Sequence, residues 1–346
     1  MDLEALATKI VTCGAAPKCA VGFSVRTPRG WISRVGGAKD EFFDLASLTK
    51  PMTAVAVARA AIEPRTAVVN LLPELHDTAS ASATMELLLA HRAGLEANLP
   101  LFASLMEGGR VDRNEALRRA AKGRRPECRG TIPDDGFAPV YSDLGYIVAG
   151  EALARRTRTD DAGGAIAAYV VLPLALADAL GTARDLEARG IDLEARAAPT
   201  EVVAWRGGEV RGRVHDENAW ALTGAGGSGH AGMFGTVGAV LAFGQSVLDE
   251  LDALAWIVRA RPGGTLRAGF DGKSSEASSA GALMGPRAFG HLGFTGTSLW
   301  IDPDAQVVLS LLTNRVHPTR HSVAIRAARP WAHDTLMEAA LLVSRR

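Results

Sequence analysis

The chain has 346 residues, 47% of them hydrophobic, with 38 Lys and Arg set against 38 Asp and Glu. That length carries a large core, in two lobes or in one large domain with an insertion. The balanced charge leaves no global field to draw in nucleic acid or an anionic membrane, and three cysteines, Cys13, Cys19 and Cys128, argue against a disulfide framework.

The N-terminus, Met1-Asp2-Leu3-Glu4, begins acidic with no long apolar run behind it. It reads as having no signal peptide and no membrane span, hence cytoplasmic unless a misassigned start codon hides an export signal. Residues 3–11 have the pattern of a short amphipathic helix. Residues 20–25 and 31–35 read as two strands around the turn Pro28-Arg29-Gly30.

Asp44-Leu45-Ala46-Ser47-Leu48-Thr49-Lys50-Pro51 follows. On a helix, Ser47 and Lys50 share a face, with Cβ atoms roughly 5–6 Å apart. A serine hydroxyl becomes a useful nucleophile when a neighbour takes its proton. Lys50 can take or relay it if burial keeps the amine neutral. Pro51 has no N–H and fits only the first turn of a helix. Ser47 is therefore placed at a helix N-terminus, where free N–H groups favour developing negative charge. Most isolated Ser-x-x-Lys pairs lie on solvated faces, so the partners decide.

From about residue 70 to 200 the signals are mostly helical, over 85–91, 113–122, 144–156 and 165–176. Strand signals return over 289–301 and 307–313, around the turn Asp302-Pro303-Asp304, and 322–343 reads as a long helix containing Pro330. This order predicts an α+β lobe built from both chain ends, 1–70 and 222–346, with a mostly helical lobe, 71–221, inserted between.

Two further segments carry chemistry. Tyr141-Ser142-Asp143 precedes a predicted helix. A phenol can accept the serine proton where nearby cations lower its pKa, although a lone tyrosine is more often a buried ring with a satisfied hydroxyl. His291-Leu292-Gly293-Phe294 opens a predicted strand. Such a strand can lie edge-on to a substrate, its N–H joining that of Ser47 in an oxyanion hole. An ordinary edge strand with glycines at a bulge has the same pattern.

In this order, Ser-x-x-Lys, Tyr-x-Asp and His-x-Gly resemble the three motifs of the serine β-lactamase and penicillin-binding-protein superfamily. The likeness is strongest to its class-C-like branch, which also holds esterases and D-amino-acid peptidases. Leu87-Leu88-Leu89-Ala90-His91-Arg92-Ala93-Gly94-Leu95 resembles that branch's LLTHTSGL segment. Val214-His215-Asp216-Glu217-Asn218, with Gly229-His230-Ala231-Gly232-Met233-Phe234, resembles another shared block. The resemblance implies a β-lactamase/transpeptidase-like fold, an antiparallel sheet flanked by helices. It implies Ser47 as the acylated nucleophile, Lys50 assisting its deprotonation, and Tyr141 as base and then acid. It implies an oxyanion hole from the Ser47 and Phe294 N–H groups beside Gly293, with His291 where many relatives place Lys. No metal or organic cofactor is implied. The partner is a small-molecule acyl substrate, not nucleic acid or a membrane, and the oligomeric state is not read.

Three departures bear on substrate. Asp143 stands where class C β-lactamases carry Asn, and a carboxylate there favours a charged Lys50, moving the base role towards Tyr141. His291 replaces a permanent cation with a group that titrates near ~6.5. Leu292 replaces a hydroxyl that often binds a β-lactam carboxylate. A neutral His291 would leave the site without a positive charge. The expectation is therefore a hydrolase of small neutral esters or amides, with β-lactamase activity weak or incidental. The alternatives are a D-alanyl carboxypeptidase, a β-lactamase proper, a penicillin sensor that is acylated without turnover, and an inactive scaffold.

Other patterns are set aside. Gly224-Ala225-Gly226-Gly227-Ser228-Gly229 matches G-x-G-x-x-G, but no strand precedes it and Asp249 ends a helical stretch, so the dinucleotide context fails. The resemblance instead puts these glycines in a turn lining the pocket. His317 and His321 read as a solvated pair, and His91 as a buried structural histidine. His215, Asp216 and Asn218 either order a loop over the pocket or satisfy one another.

Overall fold

The computed structural model describes residues 2–345. Strand β1 (Cys19–Thr27) lies between β2 (Gly30–Gly37) and the late strand β9 (Val307–Thr313), antiparallel to both. With β6 (Asp271–Gly272), β7 (Phe289–Leu292) and β8 (Ser298–Asp302) they form a six-stranded sheet in the order β2-β1-β9-β8-β7-β6. Both chain ends thus contribute to one sheet.

Strand side chains alternate between faces, and the core follows. Val307, Leu309, Leu311 and Trp300 pack with α1 (Leu3–Thr12) and α8 (Ile325–Ser344) on one face. Val308, Leu312, Leu299 and Ile301 face the other way, into the core that contains α7 (Val237–Asp249). Each fully buried Val or Leu contributes roughly 1.5–3 kcal/mol of burial free energy. Asp2 caps α1 by accepting the Glu4 N–H at 2.9 Å. Leu3, Leu6, Ala7 and Ile10 then line its buried face at helical spacing.

The middle of the chain supplies α2 (Thr49–Arg59), α3 (Met85–Leu89), α4 (Arg113–Lys122), α5 (Asp143–Thr157) and α6 (Glu217–Thr223). It also supplies β4 (Leu180–Thr182), which forms a small antiparallel sheet with β3 (Phe43–Asp44) and β5 (Met233–Gly235). Helix α2 is buried from Thr49 to Val57, so the segment after Ser47 is a core helix.

Two predicted elements differ. The strand expected over 289–301 is a hairpin, with Ser298 opposite Leu292. Gly293 donates to Thr297 O at 2.8 Å, and Gly296, at φ 105°, donates to Gly293 O at 3.0 Å. That left-handed φ is accessible to glycine. The helix expected over 165–176 is a short α-turn, Ala162–Ile166, widening into a π-turn, Ala167–Val171. Among the described residues, no helix is long and apolar enough to cross a membrane.

Candidate active site

Ser47 lies in a single 3₁₀ turn, Ala46–Leu48, between β3 and α2. The turn begins with Ala46 at φ 48°, a left-handed conformation that costs an L-residue about 1–2 kcal/mol. Buried Asp44 holds it there: Oδ1 accepts the Ala46 N–H at 2.8 Å, and Oδ2 accepts the His215 N–H at 2.7 Å. Burial pushes the Asp44 carboxyl up, against the opposing pull of His215.

Lys50 is fully buried. Its Nζ donates to Ser47 Oγ at 2.9 Å and to His230 O at 3.3 Å, and lies 2.7 Å from Asp143 Oδ1. Burial alone would pull the ammonium down. The charge of Asp143 and the contact with Tyr141 outweigh it and hold Lys50 at about 12. A lysine in that state donates to the serine oxygen and takes no proton from it.

Tyr141 stands over the same ammonium, its ring centroid 4.7 Å from Lys50 Nζ. Burial pushes its phenol up, against the pull of the Lys50 charge and of hydrogen bonding with Lys50 and Ser47. His91 fixes the ring from behind. It stacks on Tyr141 at 4.7 Å, and its Nδ1 accepts the Ser142 N–H at 2.9 Å. Burial, then Lys50, keeps this imidazole well below its ordinary range and hence neutral. The structural reading of His91 agrees with this placement.

The β7–β8 hairpin closes against the turn that carries Ser47. Thr295 Oγ1 donates to Asp44 O at 2.7 Å, and Thr297 Oγ1 donates to Leu45 O at 3.0 Å. A Cβ at Gly293 would lie 2.7 Å from Leu45 O, so only glycine permits this approach. The N–H groups of Ser47 and Phe294 have no protein acceptor among the described residues. Buried Arg329, from α8, donates to Gly293 O at 3.1 Å and to Thr297 O at 3.2 Å. The sequence reading missed Asp44, Thr295, Thr297 and Arg329. Each acts through a backbone atom that no motif marks.

His291 is buried, with Nδ1 2.8 Å from Leu292 O and its ring 5.8 Å from that of Tyr141. Burial, followed by Lys50, pushes it to about 3, so it is neutral in ordinary buffers. The sequence reading left the site without a positive charge in that case. The structure differs. The cleft at Ser47, about 460 Å³, has Arg315, Arg320, Arg326 and Arg329 in its wall. Of its carboxylates, Asp143 pairs with Lys50, Asp216 with His230, and Glu217 with Arg320. Arg315, Arg326 and Arg329 have no carboxylate partner among the described residues. Arg315 donates instead to the carbonyls of Phe294, Arg320 and Ser322.

The remaining motif residues separate. Asp216 bonds His230 Nε2 at 2.8 Å and caps α6 through the Ala219 N–H. His215 bonds Glu201 at 3.0 Å, and Asn218 accepts the N–H groups of Leu101 and Phe102. They tie separate segments together rather than satisfying one another. The Gly224–Gly229 turn does not line the cleft. Its glycines allow close packing: a Cβ at Gly229 would lie 2.9 Å from Gly150 Cα, and one at Gly227 2.9 Å from Gly163 Cα. His317 sits against Thr200 O at 3.1 Å, and His321 is exposed.

A sheet closed by both chain ends, with a serine, lysine and tyrosine gathered at its edge, is the architecture of a β-lactamase-type fold. The family model described as Beta-lactamase matches residues 26–330, and the chain belongs to that family. A relative from Salmonella gallinarum (strain 287/91 / NCTC 13346), named "Putative D-alanyl-D-alanine carboxypeptidase", is 37% identical over 119 residues. The match covers 31% of this chain and spans only 27% of that relative's length. A class C β-lactamase from Rhodobacter sphaeroides superposes with a TM-score of 0.66 at 16% identity, covering 96% of this chain and 97% of its own. A family VIII carboxylesterase gives 0.62 at 18% identity, covering 96% and 97%. At those identities the structural matches establish the fold alone.

Proposed function

We propose that the chain hydrolyses small esters or amides through an acyl-enzyme on Ser47. The observation carrying this reading is the contact set around the Ser47 hydroxyl: Lys50 donating to Oγ, Asp143 holding Lys50 charged, and Tyr141 as the remaining proton acceptor. Tyr141, as phenolate, takes the Ser47 proton while Oγ bonds to the substrate carbonyl carbon. The carbonyl oxygen gathers charge facing the Ser47 and Phe294 N–H groups. The leaving group departs with the proton held by Tyr141. Water then attacks the acyl carbon, passes a proton to Tyr141, and Ser47 recovers its hydrogen as the acid leaves. Because burial raises the phenol, phenolate is the minority form at neutral pH and sets the rate there.

A second reading narrows the substrate. The unpaired arginines suit an acyl compound that carries a carboxylate, as a peptide C-terminus or a β-lactam does. This favours D-alanyl peptides over the neutral esters that His291 and Leu292 alone suggested. The Salmonella relative's name is compatible with it. The test is a panel of a short p-nitrophenyl ester, a cephalosporin and a D-Ala-D-Ala peptide, run on wild type and Ser47→Ala. Turnover should vanish in Ser47→Ala, and surviving turnover would sink the mechanism. Stoichiometric labelling without turnover would identify a sensor instead.

A further inference from the structure

The peptide between Gly293 and Phe294 carries its carbonyl on one edge and the Phe294 N–H on the other, because a trans peptide is planar. Gly293 O accepts two donors, one for each lone pair: the Gly296 N–H at 3.0 Å and Arg329 Nη2 at 3.1 Å. The same Nη2 reaches Thr297 O at 3.2 Å, a carbonyl that already takes the Gly293 N–H at 2.8 Å. Arg329 is 8% exposed, with its Nε buried and unpartnered. No carboxylate pairs with it among the described residues. Burial, then the charges of Arg315 and Arg326, push it down to about 10, so it is still a cation at neutral pH.

The hairpin does not need this arginine in order to close. Without it, Gly293 O keeps the Gly296 N–H and Thr297 O keeps the Gly293 N–H, so no acceptor is orphaned. Thr295 and Thr297 still tie the hairpin to Asp44 and Leu45 through their hydroxyls. A buried guanidinium without a counter-charge costs stability, and an apolar side chain of similar volume is often neutral or better. What the guanidinium adds is a charge at one edge of the peptide. A charge-assisted hydrogen bond is roughly twice as strong as a neutral one. Donation to a carbonyl also draws electron density from the N–H of the same amide and strengthens it as a donor. The bond fixes the peptide plane as well, and with it the aim of that N–H.

We propose, on the reading of Ser47 as nucleophile and the Phe294 N–H as oxyanion donor, that Arg329 is a positioning residue: by binding Gly293 O it orients and polarises the Phe294 N–H towards the charge that develops on the substrate carbonyl oxygen. Arg329 touches no reacting atom in this role. It serves every acyl substrate alike, which sets it apart from carboxylate recognition by Arg326 on the same helix.

The experiment uses p-nitrophenyl acetate, which carries no carboxylate, and phenylboronic acid as a tetrahedral mimic that adds to Ser47 Oγ. Arg329→Met should lower kcat about tenfold, less than the roughly 10²–10³-fold for loss of a whole donor, with KM held within about twofold. The boronic acid's inhibition constant should rise about as much as kcat/KM falls, since both report the same oxyanion contact. The melting temperature should hold or rise. Arg329→Lys, which keeps the charge, should recover most of kcat. Should Arg329→Met fail to fold, Arg329→Gln decides the matter: an amide that donates without charge should lower kcat about threefold at unchanged KM, and full kcat there overturns the proposal. So does undiminished kcat in Arg329→Met, a loss confined to KM, a melting temperature that falls as activity does, or a loss that Arg329→Lys does not relieve. Turnover that survives Ser47→Ala would instead defeat the nucleophile itself, and the positioning role with it.

Discussion

Lys50 and Asp143 form an ion pair 2.7 Å long in which the lysine side chain is fully buried and the carboxylate is 22% exposed. The pair bears on both stability and protonation beside Ser47. Removing one partner of a buried pair leaves the other charge uncompensated. Asp143→Ala should therefore destabilise the fold by about 3 kcal/mol at neutral pH. The pH window follows from Lys50, raised from 10.5 to about 12. A raised lysine contributes stability in full below its unfolded value and loses it as pH rises through about 12. Urea unfolding should show a wild type–variant gap that is widest at neutral pH and narrows above pH 10.5. A constant gap contradicts the pairing.

Tyr141→Phe removes the phenol and keeps the ring that stacks on His91. It should lower kcat by about 10²–10⁴-fold, the range for loss of a general base, with little change in melting temperature. Wild-type kcat/KM should climb through pH 8 and 9, because burial raises the phenol above its ordinary range. The variant should lose that climb. Near-full activity in Tyr141→Phe would remove Tyr141 from the mechanism.

His291 is depressed from 6.5 to about 3. Unfolded chains bind a proton there below pH 6.5 while the folded protein does not, so acid costs stability. Thermal melts from pH 7 to pH 4 should fall less steeply for His291→Gln than for wild type. An unchanged slope would show that the imidazole is already charged in the folded state.

Arg326 is exposed, lines the active-site cleft and has no ion-pair partner among the described residues. Arg326→Ala should raise KM for a carboxylate-bearing substrate about three- to tenfold and leave a neutral p-nitrophenyl ester unaffected. Equal effects on both would remove carboxylate recognition from that arginine.

The sequence disclosed what is local. Ser47, Lys50 and Pro51 lie within one turn, and their spacing follows from helix geometry. The helices over 3–11 and 113–122 carry their own caps and apolar periodicity. The hairpin at 293–297 was hidden because Phe294 and Thr297 continue the strand-like composition on either side. The arginine wall was hidden for another reason. Arg315, Arg326 and Arg329 read singly as surface charges, and only the packing of α8 and of the segment after β9 beside the hairpin brings them to the cleft. Burial keeps His291 neutral, and the arginines in the cleft wall lie on other elements, which the single strand segment does not disclose.

Thr295 and Thr297 reach across 251 and 252 residues to Asp44 and Leu45. The oxyanion hole proposed at the Ser47 and Phe294 N–H groups is thus absent from every intermediate in which the two chain ends have not met. Contacts of such separation close late and slowly. Recovery of activity on refolding should therefore lag behind recovery of helical signal. Ester hydrolysis would then serve as a clock for the last long-range closure of the fold.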